Sequence, residues 1–367
     1  MNINSRKLWA RRRCAGLGGE VMNAMNMRAA VLTKFGGPDA LQIQEALQPR
    51  PTDDQMLVRV AACGVCGHDL LNREGHFPDT HPPCVMGHEI SGVVEEVGPL
   101  VRGFDRGDRV ALTQRVSCGV CPSCRAGREN LCRRGPGFYG EGISGGYGGF
   151  VVASPRNAVH LPDAIDFDVG AILSCAVGTG YHALQRARLL AGDTVVITAA
   201  SGGVGLHTVE LAHLLGLRVI AISTSPGRAE LLKTAGADFV IDPSDGPFQK
   251  AVREITKGDG ADAVIEIAGS PTFLSSIASL GAGGRLVAVG NVKPGPVQLN
   301  LALPILKEVE IVGSGHALVS DLRRVIALVE RGLIQPKIAQ RFEIAQAAQA
   351  HAFLGQRGVA GRVVLMH

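Results

Sequence analysis

Four cysteines stand close together near residue 120, at Cys118, Cys121, Cys124 and Cys132. Four thiolates at this spacing can hold one tetrahedral zinc ion that has no open coordination position. Such a site folds a loop through metal bonds instead of an apolar core, so its metal content is coupled to folding. The same set also suits an iron–sulfur centre, and the spacing leaves both metals open.

A second set of metal-binding side chains is dispersed along the chain: Cys66, His88, Glu89 and, much further on, Cys175. Two thiolates and an imidazole form a zinc site with room for a water or substrate oxygen. Zinc held in this way is a Lewis acid that polarises a carbonyl or lowers the pKa of an alcohol. Asp69 can hydrogen-bond the far nitrogen of His88 and fix its tautomer. The alternative is that these are ordinary buried side chains and that Asp69 is a turn residue.

The third chemical motif is a glycine-rich turn between two candidate strands. The β-branched run 194–198 and the run 218–222 each predict a strand that is buried on both faces. The turn between them opens an apolar-periodic helix, and its residues are Ala200, Ser201, Gly202, Gly203, Val204 and Gly205. Ala200 takes the first glycine position, and Gly202 lets backbone N–H groups approach a pyrophosphate at the helix N-terminus. The whole unit predicts dinucleotide binding.

The elements around these motifs indicate two domains, as expected for 367 residues of which 46% are hydrophobic. A strand at 27–32, a polar stretch, a strand at 56–61 and further short strands to about 158 indicate an all-β domain. From 161 to about 315, helices alternate with apolar strands, which is typical of a parallel α/β domain. A helix at 321–331 and a strand at 361–365 complete the chain.

Charge and cysteine use exclude several classes of function. The net charge is +4, and residues 1–26 alone hold five basic residues and one acidic residue, so the body is close to neutral. We therefore expect no nucleic-acid partner, and no apolar run has the length of a membrane span. The basic leader lacks the apolar core of a secretory signal and is predicted to be a disordered extension. Cysteines at metal spacing without an export signal predict a cytoplasmic protein that binds metal rather than forming disulfides. We expect its partner to be a small-molecule substrate.

These motifs together resemble the medium-chain dehydrogenase/reductase superfamily, specifically its zinc-containing alcohol dehydrogenase branch. The resemblance spans roughly residues 27–365, and the segments that carry it are Cys66-Gly-His68-Asp69, Gly87-His88-Glu89, the four-cysteine lobe, Cys175 with Gly178-Thr179-Gly180, the glycine-rich turn and Gly361-Arg362. It implies an α/β fold with two parts. A GroES-like β domain would comprise 27–175 and 317–367, with a structural zinc lobe at 118–132. A Rossmann doubly wound parallel sheet would occupy 176–316.

The resemblance also implies roles for individual residues. Cys66, His88 and Cys175 would hold a catalytic zinc that Glu89 can bind or release, and the four-cysteine lobe would hold a structural zinc. Four further positions would contact the cofactor: Thr179 at the nicotinamide, Val289 and Gly290 beside its carboxamide, and Arg362 at the pyrophosphate. Members of this branch pair through the edge of the Rossmann sheet, here 299–313, so a homodimer or homotetramer is expected.

Two positions depart from the proton relay of this branch. His68 replaces the Ser or Thr that takes the alcohol proton, and Leu71 replaces the histidine that often completes the relay. An imidazole with a near-neutral pKa can act as the acid and base itself, or it can shape the pocket.

A third departure concerns the cofactor. NAD-specific members carry an acidic residue at the end of the second Rossmann strand, where this chain has Ser223 and then Thr224. Their hydroxyls can donate to a 2′-phosphate, and Arg228 can pair with it, unless Arg228 is simply solvated. The sequence favours NADP(H) over NAD(H).

The predicted function is a zinc-dependent hydride transfer between a nicotinamide and an alcohol or carbonyl substrate. One alternative is an NADPH-dependent enoyl reductase acting on an α,β-unsaturated acyl-CoA or ketone, since Cys-Gly-His-Asp resembles divergent members with such substrates. Another class is a non-catalytic NADPH-binding protein whose zinc is only structural. A metal content of one zinc per chain rather than two would favour that last alternative.

Overall fold

The computed structural model describes residues 25–225, 227–291, 295–356 and 358–367. Residues 1–24 of the predicted disordered leader (1–26) lie outside the described residues. Asn26 already belongs to the first strand.

The strands of the described residues, in chain order, are β1 (Asn26–Leu32), β2 (Leu41–Leu47), β3 (Met56–Val65), β4 (Cys84–Val85), β5 (Glu89–Val97), β6 (Arg109–Leu112), β7 (Arg115–Val116), β8 (Gly137–Tyr139), β9 (Gly142–Ile143), β10 (Phe150–Ala153), β11 (Ala158–His160), β12 (Thr194–Ile197), β13 (Arg218–Ile222), β14 (Phe239–Ile241), β15 (Ala261–Glu266), β16 (Leu280–Ala288), β17 (Glu310–Gly313), β18 (Ile338–Glu343) and β19 (Arg362–Met366).

The α-helices are α1 (Gly67–Arg73), α2 (Pro122–Arg125), α3 (Phe167–Ile172), α4 (Gly178–Ala187), α5 (Gly203–Leu214), α6 (Ala229–Thr234), α7 (Gln249–Ile255), α8 (Phe273–Ser279), α9 (Ala302–Lys307), α10 (Val319–Glu330) and α11 (Ala347–Leu354). A π turn, Leu173–Val177, joins α3 to α4.

Six strands form one parallel sheet in the order β14-β13-β12-β15-β16-β17. Every residue of β12 is buried. Its consecutive residues Val195 and Val196 point to opposite faces and pack into different apolar clusters, so both faces of the sheet are covered. This confirms the predicted Rossmann sheet. Its strand order reverses between β12 and β15, where ligands bind at the carboxyl ends of the strands.

A second large sheet has the order β11-β6-β5-β3-β19-β18, and β10 also pairs with β3. The last strand of the chain, β19, runs antiparallel to β3 from the N-terminal part. Both ends of the chain therefore build this β domain, as the resemblance implied. The detailed domain boundaries remain a prediction.

One sequence expectation about this domain is wrong. The polar stretch before residue 56 contains strand β2, which pairs with β1 along its whole length. Most β2 side chains are exposed because it is the edge strand of the sheet β2-β1-β4, so main-chain hydrogen bonds rather than burial specify it.

Within the described ranges, no helix combines the length and the apolar character needed to cross a bilayer.

Candidate metal centre and nucleotide site

Cys66 lies where β3 ends and α1 begins, and it is the N-cap residue of that helix. The carboxylate of Asp69 accepts a hydrogen bond from the backbone N–H of Cys66 at 2.9 Å, which satisfies a donor at the helix start. The local sequence therefore fixes the thiol at a rigid strand-to-helix junction, with only 4% of the residue exposed.

His88 directly precedes β5 and faces Cys66, with 3.4 Å between His88 Nε2 and Cys66 Sγ. Its other nitrogen, Nδ1, lies 3.1 Å from Asp69 Oδ1, the contact suggested by the sequence. A donor on Nδ1 leaves the Nε2 lone pair for a metal. Gly87 adopts φ +92°, and a Cβ there would lie 2.4 Å from the ring of Tyr147, so only glycine fits before this ligand.

Cys175 reaches the same place from the π turn, which sequence periodicity did not reveal. One ligand atom from each of Cys66, His88, Glu89 and Cys175 lies within 4.8 Å of the others. Residues more than a hundred positions apart thus converge in space. The predicted catalytic residues Cys66, Asp69, His88, Glu89 and Cys175 are all brought together.

The electrostatics of this cluster suit a cation. Burial raises the pKa of Glu89 to about 8, although the nearby charge of Arg362 opposes it. Burial also acts to raise the pKa of Cys66, but a hydrogen bond from Cys175 and the charge of His88 lower it overall. Among the described residues, neither carboxylate oxygen of Glu89 makes a hydrogen bond, although Oε2 lies 3.2 Å from Arg362 Nε. Two thiols, an imidazole and a spare carboxylate are a donor set that fits zinc.

The four cysteines of the predicted lobe also converge within 4.8 Å. Sulfur–sulfur separations are 3.9 Å for Cys118–Cys124, 3.4 Å for Cys121–Cys124 and 4.0 Å for Cys121–Cys132. Hydrogen bonds from the backbone N–H groups of Val120 and Cys121 lower the pKa of Cys118 to about 6. The loop therefore stabilises the thiolate of Cys118, whereas burial raises the pKa of Cys124 to about 12. The four sulfurs are close enough to share an ion.

This cysteine lobe is fastened to the loop that follows β17. Glu129 Oε1 accepts a hydrogen bond from Val319 N at 2.9 Å, and Asn130 Nδ2 donates to Gly315 O at 2.6 Å. Between these contacts, the ring of His316 packs against Phe138 with centroids 4.9 Å apart. The lobe thus contacts the chain on both sides of His316, a histidine that the sequence did not single out.

His68 is near the metal cluster but does not belong to the converging ligand set. Its ring stacks on Phe77, with centroids 4.1 Å apart, and lies edge-on to His88 at 5.0 Å. His68 Nε2 forms a close contact with Glu141 Oε1, which sequence reasoning missed. Glu141 lies between Gly140 and Gly142, 73 residues after His68, and no local pattern indicated that the two side chains would meet.

The glycine-rich turn at residues 200–205, called the nucleotide turn from here on after its predicted ligand, leads from β12 into α5 as the sequence predicted. Gly202 is the N-cap of α5, so that helix begins at Gly203. A Cβ on Gly205 would lie 2.2 Å from Ala199 O, which explains the glycine that allows helix and strand to pack closely. Arg362, at the start of β19, lies above this turn: a Cβ on Gly203 would be 2.9 Å from its Nη1. Because Arg362 also contacts Glu89, one side chain joins the turn to the metal cluster.

The remaining predicted cofactor residues lie in the connections that adjoin the parallel sheet and α4, and their role stays a prediction. Thr179 is the second residue of α4. Val289 and Gly290 directly follow β16, and both backbone N–H groups donate to Glu266 O. Thr224 follows Ser223, which lies 2.9 Å from Ser201 of the turn through their hydroxyls. Arg228 donates to Gly358 O, so its guanidinium reaches the C-terminal segment.

Comparisons with known proteins agree with this arrangement. Residues 52–163 match the alcohol dehydrogenase GroES-like domain, and residues 203–331 match the zinc-binding dehydrogenase family. An acryloyl-coenzyme A reductase of Metallosphaera sedula is 33% identical over 337 residues, which cover 92% of this chain and 99% of that protein. An alcohol dehydrogenase of Geobacillus stearothermophilus is also 33% identical, over 92% of this chain and 99% of its own. The crystal structure of AibC superposes with a TM-score of 0.89 at 42% identity, covering 96% of this chain and 99% of AibC.

The match spans both domains and both metal clusters. The protein is therefore an oxidoreductase, and the chain belongs to the medium-chain dehydrogenase/reductase superfamily, in its zinc-containing alcohol dehydrogenase branch.

Proposed function

We propose that this protein transfers a hydride between NADP(H) and an alcohol or carbonyl substrate at a zinc ion held by Cys66, His88 and Cys175. One observation carries the proposal: the converged ligand atoms lie beside Arg362, which also reaches the nucleotide turn. A metal and a dinucleotide bound at these places would be neighbours, as hydride transfer requires.

The bound zinc supplies a Lewis acid for the substrate oxygen, and the nicotinamide supplies or accepts the hydride. In reduction, the carbonyl carbon gains the hydride and its oxygen gains one proton. His68 is the residue we assign to that proton. Glu141 engages its Nε2, so Nδ1 is the nitrogen left to exchange a proton with substrate. Phe77 holds the ring in place by stacking.

We assign a structural zinc to Cys118, Cys121, Cys124 and Cys132. Four sulfurs at about 2.3 Å from one tetrahedral ion lie about 3.8 Å apart. The separations of 3.4 to 4.0 Å support a single ion of this kind over a larger iron–sulfur cluster. Zinc-binding thiolates of this kind require a reducing compartment, and we propose the cytoplasm.

NADP(H) is the proposed cofactor. Three serine hydroxyls meet at the end of β13, since Ser201 lies 2.9 Å from Ser223 and 3.3 Å from Ser225. This site offers donors to a 2′-phosphate and has no carboxylate at position 223 to repel it. Arg228 is partly committed to Gly358, so we assign the preference mainly to the serines.

We further propose that two chains pair through α9 and β17. Large apolar side chains are exposed there, with 69% exposure for Ile305, 83% for Leu306 and 43% for Ile311. The strand β17 is also an unpaired edge of the parallel sheet. Sedimentation of Leu306→Glu tests this: the variant should sediment as a smaller species than the wild type, and an unchanged value would contradict the pairing.

The decisive test of function replaces one ligand. The Cys66→Ala variant should hold one zinc fewer per chain and should have no turnover. Titration followed by the fluorescence of NADPH should give an unchanged Kd for NADPH. Cys84→Ser is the matched control, because Cys84 is a partly buried thiol outside both clusters. Turnover by a Cys66→Ala protein that holds only one zinc would refute the role of the metal.

Enoyl reduction is the second candidate, favoured by the similarity to proteins named acryloyl-coenzyme A reductases and by the His68–Glu141 pair. In that reaction the β-carbon gains the hydride and the α-carbon gains the proton, which an imidazole can deliver to carbon. NADPH oxidation should be followed with aldehydes, ketones, acryloyl-CoA and crotonyl-CoA side by side. A kcat/KM that is highest for a thioester would assign the enoyl reductase, and one that is highest for a carbonyl would assign the alcohol dehydrogenase.

A further inference from the structure

His207 is a buried histidine of α5 to which nothing above gives a role. It lies one helical turn after Gly203 and is 1% exposed. Both ring nitrogens have partners: Nδ1 lies 2.5 Å from Gly203 O, and Nε2 accepts a hydrogen bond from Lys337 N at 2.8 Å. A backbone N–H can only donate, so Nε2 must carry the lone pair and Nδ1 the proton. One neutral tautomer satisfies both contacts.

The surroundings keep the ring in that neutral state. Burial lowers the pKa of His207 to about 4, and the charges of Arg362 and Lys337 act in the same direction. The hydrogen bond to Gly203 O only partly opposes this. At neutral pH the ring therefore joins the carbonyl of the nucleotide turn to the backbone of a segment from the other domain.

That segment is packed against the strand that carries Arg362. Lys337 O accepts a hydrogen bond from Arg362 N at 2.9 Å, and Ile338 is the register partner of Arg362. Gly361, with φ +90°, permits this approach, because a Cβ there would lie 2.6 Å from Lys337 O. Three hydrogen bonds lead from Gly203 through His207 and Lys337 to Arg362, and the Arg362 guanidinium lies next to Gly203, so these four residues form a circuit.

Helix α5 makes a second hydrogen bond to the segment before β18, and this one does not involve the nucleotide turn. Glu210 Oε1 accepts a hydrogen bond from Gln335 N at 2.7 Å, almost one helical turn further along α5. Glu210 therefore contributes to domain contact but stands outside the circuit. It offers a control for effects of general loosening between the domains.

We propose that His207 is a positioning residue for the dinucleotide, which holds the nucleotide turn and the Arg362 guanidinium at the separation that a pyrophosphate group spans. The inference rests on the proposed dinucleotide function. A pyrophosphate binds to the N–H groups at the helix start and to a guanidinium together, so its affinity depends on the distance between them. His207 fixes that distance without contacting the ligand.

The test measures Kd by fluorescence titration for NADPH and by competition for adenosine 2′-monophosphate, which lacks a pyrophosphate. His207→Leu removes both hydrogen bonds, and we expect a rise of about tenfold in the Kd of NADPH. The Kd of adenosine 2′-monophosphate and kcat at saturating NADPH should stay within about twofold of the wild type. Glu210→Ala should lower Tm while leaving both Kd values unchanged.

Two conservative variants keep the inference falsifiable if His207→Leu does not fold. His207→Gln can still accept from Lys337 N, and His207→Asn can still donate to Gly203 O, so each breaks one link and should raise the Kd of NADPH by less than the leucine variant. Kd values equal to the wild type in both variants would overturn the positioning role, as would an equal rise for both ligands. Failure of the wild type to bind NADPH or NADH would instead remove the proposed function itself.

Discussion

Asn130 donates a hydrogen bond from Nδ2 to the carbonyl oxygen of Gly315 at 2.6 Å, across 185 residues of sequence. The contact joins the four-cysteine lobe to the loop between β17 and α10. His316 follows Gly315 and faces Phe138, whose ring is also near His68 and His88. The lobe therefore contacts the loop whose His316 lies beside the aromatic rings next to the metal cluster, and we expect it to shape the substrate site.

Replacing Asn130 tests that effect. Asn130→Ala leaves Gly315 O without its partner and frees the loop, so KM for substrate should rise about threefold to tenfold while kcat changes less. Steady-state kinetics at saturating NADPH measures both. Ser123→Ala, within the same lobe, is the control and should have wild-type KM. An unchanged KM in Asn130→Ala would show that the lobe does not shape the substrate site.

Loss of the lobe metal should act through folding. Cys124→Ser removes one thiolate, and we expect metal analysis to fall from two zinc ions per chain to one. Tm should drop by several degrees, since a site of this kind is coupled to folding. NADPH binding should persist because the nucleotide turn lies in the other domain. Two zinc ions in the variant would contradict the assignment.

Glu141 should matter for catalysis through His68. Glu141→Gln retains a hydrogen-bonding oxygen but loses the charge, whereas Glu141→Ala releases the ring altogether. We expect kcat to fall about tenfold in the glutamine variant and about a hundredfold in the alanine variant, with little change in the Kd of NADPH. Stopped-flow hydride transfer and fluorescence titration separate these quantities. Equal rates in all three proteins would limit His68 to shaping the pocket.

The cofactor preference has a single-residue test. Ser223→Asp places a carboxylate beside Ser201, where it repels a 2′-phosphate and accepts from ribose hydroxyls. The Kd of NADPH should rise about a hundredfold and that of NADH should fall, as measured by titration of both. Ser225→Ala should weaken NADPH binding more modestly. A wild type that already prefers NADH would contradict the proposal.

Buried neutral histidines should make the protein acid-sensitive. Burial lowers the pKa of His207 and His351 to about 4 and that of His316 to about 3. Their ordinary pKa is 6.5, so the unfolded chain takes up protons first as the pH falls. Stability is therefore complete above pH 6.5 and declines towards pH 4, by about 1.4 kcal/mol per pH unit for each ring.

Urea unfolding at pH 7, 6, 5 and 4.5 measures that decline. The ring of His351 bonds Tyr147 and Arg73, and His351→Gln cannot be protonated. The free energy of unfolding of this variant should fall less steeply than that of the wild type, and metal loss at low pH affects both proteins alike. Parallel curves would exclude His351 as a source of acid sensitivity.

The sequence predicted best where spacing is local. Strand β13 has the predicted bounds, Arg218–Ile222, because a continuous apolar run between turns has few alternatives. The cysteines of the lobe lie within fifteen residues, so their spacing alone indicated a metal. Ligand chemistry could only suggest Cys66, His88 and Cys175 as one zinc site beside the alternative of ordinary buried residues, and the family resemblance favoured their convergence, since no local pattern relates positions so far apart.

Several contacts near the metal cluster and the nucleotide turn were beyond sequence reasoning. Glu141, His207 and Asn130 act through partners 73, 130 and 185 residues away, and each is an ordinary polar residue in its own segment. Strand β2 was missed because its side chains are exposed and only main-chain pairing defines it. Such features become visible once the topology has placed the two strands or loops side by side.

The π turn at Leu173–Val177 sets the angular phase between two parts of one helical run. It takes in one residue more than an α-helical turn, which rotates everything before it by about 100° relative to everything after it. This change of phase lets the Cys175 thiol lie with the ligand atoms of Cys66, His88 and Glu89 within a run that is helical on both sides. Deleting a single residue from the π turn would rotate the Cys175 thiol away from the other ligands. The zinc site would then be incomplete, although every ligand residue would still be in the chain.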